Sequence, residues 1–437
     1  MESTEILIIG AGAAGLMAAR TLSSKGKKVI ILEARDRIGG RIYTLNDAVF
    51  QLPVELGAEF VHGKLELTLN LLHEAGIEPD AISGELWRSE NGRLHQQEDF
   101  IEDQEELMEK LKSLEQDMSV NAFLQKYFGG EKYADLRKSL TSFVQGYDAA
   151  DADHASTFAL LQELLGEDND TQYRVRNGYS GLMDFLKDES VQAGCIIHLS
   201  TVVSSVNWQP GKVNITTTDN RRFSSEKLII TIPIPVLQSR TGEEGHIVIN
   251  PLPQQTYDAI YSLGSTGVIK IILQFSEAFW KDAAVPGNNK THKEIGFLFG
   301  DTKIPTWWTQ LPEDNAMITG WLAGPDSLLL KDADDDVILN EALASLSKIF
   351  SKDTNELREQ LVAWHIANWT SEPFTLGAYG YEKVESKNAK RILNEPLENT
   401  IFFAGEGVYE GPARGTVEAA LVSGLEAAEK LADGMIS

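Results

Sequence analysis

Residues 5–33 read EILIIGAGAAGLMAARTLSSKGKKVIILE, and this stretch predicts a strand, a tight glycine turn, a helix and a second strand. Ile6, Leu7, Ile8 and Ile9 form a short apolar run, as in a strand buried on both faces. Gly10, Gly12 and Gly15 then give G-x-G-x-x-G, with Ala14 inside the motif. The first glycine permits the turn, the second lets backbone approach a pyrophosphate, and the third lets helix pack on strand. A helix over Ala13–Ser24 directs its N-terminal N–H groups and positive dipole end at that phosphate. Val29–Leu32 is the second strand. Glu33 ends it, 18 residues after Gly15, near the spacing of ~20 for a carboxylate that accepts from a ribose hydroxyl. The glycines lie between strand and helix, and an acid closes the unit. This context points to a dinucleotide rather than to some other glycine-rich turn.

The next segment, ARDRIGGRI at residues 34–42, sets Arg35, Arg37 and Arg41 around Gly39-Gly40. Guanidinium forks suit phosphate oxygens, and paired glycines let backbone come close to a flat or charged ligand. In so acidic a chain, a clustered basic loop points to a ligand more than to a surface loop. ELGAEFVHG follows at residues 55–63.

At 437 residues the chain exceeds one ordinary core, and two domains are expected. Lys+Arg 39 against Asp+Glu 65 gives a net charge of −26. This argues against nucleic acid or anionic membrane as a partner, since both need basic patches. A solvated acidic surface is the simplest account, and attraction of a cationic substrate is the alternative. One cysteine, Cys195, permits neither an intrachain disulfide nor a Cys-based metal centre, and no metal is expected. The chain enters its first strand without a leader, and no apolar run approaches the ~20 residues of a membrane span. A cytoplasmic location is therefore expected.

GAGAAGL, EARDRIGGRI and ELGAEFVHG together resemble the N-terminal third of the flavin-containing amine oxidases. The same motifs occur in part in L-amino-acid oxidases and carotenoid-type desaturases, so they point to FAD more firmly than to a substrate. The resemblance implies that Gly10, Gly12, Ala14, Gly15, Glu33, Ala34 and Arg35 hold the adenosine and pyrophosphate side. Gly39, Gly40 and Arg41 lie along the pyrophosphate and flavin edge. Gly57 and Ala58 pass close to the isoalloxazine, with Glu59 beside them on the cofactor side. His62 stands where polyamine oxidases carry a His or Glu at the cavity mouth; a structural loop histidine is the alternative.

Residues 65–170 read as a helical insertion, with helices expected over 65–75, 101–118, 121–128, 133–144 and 156–165 and a turn-rich linker at 148–153. Glu163, Glu167, Asp168 and Asp170 are acids that would attract a cationic amine or simply be solvated. Residues 174–186 carry a glycine turn and a helix that, by resemblance, return the chain to its FAD domain. Residues 196–207 read as a strand pair, 213–218 as a half-exposed strand and 227–237 as a buried strand ending in a proline turn. Val203 sits where the family's backbone contacts adenine.

GVIKIILQFSEAFW, residues 267–280, is a strand with Lys270 inside it. An ammonium in so apolar a strand is costly unless satisfied; an edge strand with its tip in solvent is the alternative. Lys270 shares a face with Val268 and Ile272, while Ile269 and Ile271 point the other way. Family members carry a lysine in a matching strand, holding a water near flavin N5. In the segment 361–381, Trp369 and Tyr379 match the family's aromatic residues beside the flavin. Ala378 occupies the place where monoamine oxidases carry the cysteine that bonds the flavin, so FAD is expected to be non-covalent. In residues 401–424, IFFAGEGVYEGPARGTVEAALVSG, Gly405 and Glu406 form a turn. Gly415, Thr416 and Val417 open a helix aimed at the flavin. Thr416 stands where many relatives have tyrosine, and Tyr409 is a candidate substitute for that aromatic.

The expected fold is α/β plus α+β: a Rossmann-like FAD-binding domain from residues 1–75, 180–245 and 390–437, and a discontinuous substrate domain of mixed sheet and helices from 76–179 and 246–389. The expected catalytic set is Lys270, Tyr379, Trp369, His62 and Thr416. The expected chemistry is transfer of a hydride equivalent from an amine to flavin N5, with O2 as reoxidant and hydrogen peroxide as product. A small-molecule amine and O2 are the expected partners; a homodimer is left open. The rivals are an L-amino-acid oxidase, for which Arg88 or Arg174 would pair the carboxylate, a desaturase, and a flavin-binding protein without turnover.

Overall fold

The computed structural model describes residues 1–97, 101, 104–166, 171–282, 294–386 and 388–434. Ile6–Ile9 lies at the centre of a five-stranded parallel sheet in the order Ile196–His198, Val29–Leu32, Ile6–Ile9, Lys227–Ile230, Ile401–Phe403. Successive side chains on these strands point to opposite faces, and both faces are covered. Ile6, Ile8, Val29, Ile31, Ile229 and Phe402 pack beneath the helices Ala13–Ser24, Ser180–Gln192 and Val417–Gly434. Leu7, Ile9, Ile30, Leu32, Leu228, Ile230 and Phe403 pack on a second five-stranded sheet, through Val206, Val213, Ile215 and Phe223. Burial on both sides explains why these strands read as unbroken apolar runs.

A seven-stranded mixed sheet forms the other half, in the order Leu361–Asn368, Gly267–Phe275, Met317–Gly324, Thr306–Thr309, Ile295–Gly300, Glu85–Glu90, Arg93–Gln97. Its far face buries Ile269, Ile271 and Leu273 against the helix Asp335–Phe350. Its near face carries Val268, Lys270 and Ile272, alternating as expected for a strand. A cluster of helices between Gln104 and Gly166 packs around Phe123, Phe128 and Leu140. The chain is thus α/β with mixed sheets. Among the described residues no helix is long and apolar enough to cross a membrane.

Two expectations are corrected. The helix expected over 101–118 is confined to Gln104–Lys112. Residues 85–97, read as part of a helical insertion, form the strand pair Glu85–Glu90 and Arg93–Gln97. The short polar sequences ELWRSE and RLHQQ qualify as strands only because Ile295–Gly300 offers Glu85–Glu90 a free edge. Val248–Asn250 pairs with Val203–Gln209, and Ala259, Ile260 and Leu263 share a core with Leu228 and Ile230 of the parallel sheet.

Candidate active site

A cavity of ≈ 900 Å³ runs from the first glycine turn, past strand Gly267–Phe275, to the edge of Ile295–Gly300. At its first end Gly10 has φ +102°, which only glycine adopts readily. Gly12 and Gly15 divide their tasks. A Cβ on Gly12 would meet nothing within 4 Å, so its face is open to the cavity. A Cβ on Gly15 would lie 2.0 Å from the Gly10 carbonyl, so this glycine serves helix–strand packing and does not line the cavity. Glu33 is buried in the wall; its carboxylate accepts from the Ala11 N–H at 2.7 Å and the Arg35 N–H at 2.9 Å. Ala14, Ala34, Arg35 and Val203 line the same end, and Arg35 is fixed by Glu372 and Thr375.

Further along, Gly39 and Gly40 both take positive φ and bring the basic loop against the glycine turn, where the Gly39 N–H donates to the Ala11 carbonyl at 2.8 Å. Arg41 bridges distant parts of the chain, donating to Glu406 at 2.9 Å and to the Ala378 carbonyl at 2.6 Å. Gly57, Ala58, Gly405, Gly415, Thr416 and Val417 complete this wall. The Thr416 hydroxyl donates to the Ala413 carbonyl and accepts from the Ala419 N–H, so it caps the following helix rather than standing free at the cavity.

These features fit a dinucleotide: an open glycine face, a helix N-terminus, a buried carboxylate and glycines that permit close backbone approach. The model for the family described as flavin containing amine oxidoreductase matches residues 13–432. The chain belongs to this family. FAD is its cofactor, and the glycine turn, Glu33 and the Arg41 wall are the groups that would hold it. The chain is 27% identical over 465 residues to Lysine-specific histone demethylase 2 from Homo sapiens, covering 99% of this chain and 54% of that protein. It is 27% identical over 457 residues to Polyamine oxidase 3 from Oryza sativa subsp. japonica, covering 97% and 88%. It thus spans about half the length of the mammalian demethylases that it matches. Among solved structures, wild-type putrescine oxidase bound to putrescine aligns with TM-score 0.79 at 19% identity, over 100% of this chain and 99% of that one. Cyclohexylamine oxidase from Brevibacterium oxydans IH-35A aligns with TM-score 0.79 at 18% identity, over 99% and 100%. At such identity the likeness shows the shared fold.

Beyond this flavin amine oxidoreductase wall lies the cluster around Lys270. Its strand is paired on both sides, so Lys270 is not on an edge, and the residue is 1% exposed. Nζ donates to Glu59 Oε2 at 2.6 Å and to the Gly57 carbonyl at 3.1 Å. The other Glu59 oxygen accepts from Arg174 Nη2 at 2.7 Å and Trp308 Nε1 at 3.1 Å. Burial pushes the Glu59 carboxyl up, but the charges of Lys270 and Arg174 outweigh it and hold the group below its ordinary value. Arg174 also donates to the carbonyls of Leu311 and Thr309, so it is consumed in this cluster and does not line the cavity.

Aromatic rings flank the cluster. Trp369 donates to the Leu56 carbonyl at 2.7 Å, and Tyr379 donates to the Tyr147 carbonyl. Tyr147 stacks on Phe143 with ring centroids 5.0 Å apart and meets His62 edge-on at 5.6 Å. Burial lowers the His62 imidazole to about 4, leaving it neutral at physiological pH. Tyr147 and Trp308 escaped the sequence reading because no motif surrounds them. Tyr409 does not line the cavity; Tyr147 is the tyrosine that stands beside Tyr379 there. Ala378 lines the cavity, whereas Cys195 is buried in the core beneath the parallel sheet's helices, its thiol pushed up to about 12. Glu163 lines the cavity; Glu167, Asp168 and Asp170 lie outside the described residues.

Proposed function

We propose that this protein is an FAD-dependent oxidase of primary amines or polyamines. The observation that carries the reading is Lys270, a buried ammonium held by Glu59 on the cavity face of a central strand, between aromatic walls. FAD, when bound, supplies the two-electron acceptor that O2 regenerates. The net reaction takes R–CH2–NH2, O2 and water to R–CHO, NH3 and H2O2. Trp369, Tyr379, Tyr147 and Trp308 give the amine carbon a water-poor, π-rich channel. A neutral His62 adds no cationic charge that would repel an amine. Lys270, held by Glu59 and the Gly57 carbonyl, orders a proton donor at the cavity floor. The commitment of Arg174 to Glu59 counts against an α-amino-acid substrate, since that arginine is not available to a carboxylate beside the amine.

In this reading the FAD-binding unit comprises residues 1–75, 180–245 and 390–437 together with the 248–263 segment, and the remaining chain forms the substrate side. The test is peroxide release with a panel of alkylamines, diamines, polyamines, N-methyl-lysine and α-amino acids. Turnover of amines is expected. Turnover of α-amino acids alone, or FAD binding with no peroxide from any member, overturns the proposal.

A further inference from the structure

The end of the cavity remote from the first glycine turn is lined by Arg88, Phe299, Lys303 and Glu341. Arg88 lies on Glu85–Glu90, directly opposite Phe299 on the neighbouring parallel strand, and its guanidinium carbon is 6.0 Å from the Phe299 ring centroid. Among the described residues the Arg88 side chain has no hydrogen bond and no ion pair to a protein group, and its Nε is buried without an acceptor. The other guanidiniums on the cavity wall are engaged: Arg35 by Glu372, Arg41 by Glu406, and Arg414 by Glu382 and the Ala159 carbonyl. Asp301, the nearest acid in sequence to Phe299, is taken by Lys138. A cation turned into a cavity without an acceptor is costly in the free protein, and a ligand that brings one recovers that cost.

The position fixes where on a substrate the acceptor would sit. Lys270 Nζ is 5.5 Å from the Trp308 ring, and the Trp308 ring is 6.0 Å from Phe297. Across the sheet Lys270 pairs with Trp321, Trp321 with Thr306, Thr306 with Phe299 and Phe299 with Arg88, so Arg88 lies four strand spacings from Lys270, about 19 Å at ~4.8 Å each. A group bound by Arg88 is therefore remote from an amine at Lys270. Both charge and planar fork geometry favour a carboxylate there.

We propose that Arg88 is a specificity-determining residue that binds a carboxylate at the far end of the substrate, making extended ω-amino carboxylates the preferred amines. This rests on the amine oxidase reading above.

The experiment uses the FAD-loaded enzyme and compares kcat/KM for hexylamine, 6-aminohexanoate and 1,6-diaminohexane, then for the eight- and twelve-carbon homologues. The aminocarboxylate at its best length is expected to exceed the matched alkylamine. That ratio should fall roughly 10- to 100-fold in Arg88→Met, the range for a charge-assisted hydrogen bond, and be partly restored in Arg88→Lys. Preference for the diamine, which Glu341 would favour, or an unaltered ratio in Arg88→Met, overturns it. Octanoate binding, followed by the bound-flavin absorbance spectrum, separates this from failure of the oxidase reading. Binding lost in Arg88→Met supports the subsite even without turnover; no binding, or equal binding to both proteins, overturns it.

Discussion

Lys270 and Glu59 form an ion pair of 2.6 Å in which the two side chains are 1% and 4% exposed. The pair joins a strand of the seven-stranded sheet to the loop that follows the Arg41 wall. Arg174 and Trp308 saturate the far oxygen of the same carboxylate. Lys270 thus reaches the cavity with its direction fixed by protein groups.

Lys270→Met should retain FAD but lower turnover by roughly ten- to ten-thousand-fold, the range of one positioned acid–base group. It should also destabilise the protein, because breaking a buried pair from one side costs up to about 3–5 kcal/mol. Arg174 remains as a partner for Glu59, so the observed loss should fall at or below the lower end. Lys270→Met/Glu59→Gln should recover part of it. Stopped-flow reduction and reoxidation, with thermal unfolding, measure both effects. Wild-type rates in both half-reactions would make the lysine structural.

The two inner glycines should separate binding from folding. Gly12→Ala points a methyl into the cavity and should weaken FAD while leaving the apo-protein's stability near wild type. Gly15→Ala drives Cβ against the Gly10 carbonyl and should destabilise the apo-protein itself. Flavin titration and apo-protein melts distinguish them; the same loss of apo-stability in both variants would contradict this division.

Glu55 gives a pH signature. Its carboxyl is pushed up to about 7, chiefly by burial, against which the hydrogen bond from the Tyr179 N–H and the charge of Lys270 act. A folded-state value above the unfolded one means that the native state holds the proton longer. Stability therefore falls as pH rises from about 4.5 through 7, by on the order of 3 kcal/mol. Glu55→Gln should flatten that slope. Denaturant unfolding of both proteins between pH 5 and 8 is the measurement, and parallel curves would contradict the assignment.

His62, lowered to about 4 by burial, should contribute no break to the pH profile of kcat/KM between 5.5 and 9. His62→Gln should change the height of that profile and leave its breaks in place. A break near 6.5 that vanishes in the variant would show an imidazole titrating at its ordinary value.

Ala378 offers the flavin no thiol, and Cys195 lies in a separate core. Acid precipitation should therefore release all flavin into the supernatant. Flavin that stays with the pellet would contradict this.

The strand–turn–helix–strand unit was legible to the residue because its determinants are local: apolar runs, glycine positions and one terminal acid. Lys270's facing was legible too, since alternation along a strand is a fixed period. Its partner was not. Glu59, Arg174 and Trp308 arrive from three separate elements, and no spacing links them to Lys270. The Glu85–Gln97 strand pair was missed for a related reason: its polar sequence becomes strand through a neighbouring edge formed some 200 residues later. Thr416 read as a site residue by alignment with tyrosine, while its hydroxyl satisfies a local backbone need.

The Arg41–Glu406 contact spans 365 positions and the Arg35–Glu372 contact 337. During synthesis, the glycine turn leaves the ribosome long before the residues that close the wall opposite it. A nascent chain halted before residue 372 holds neither carboxylate, and the strand Ile401–Phe403 is still missing from the edge of its parallel sheet. The wall that faces the glycine turn is therefore complete only once nearly the whole polypeptide has been made.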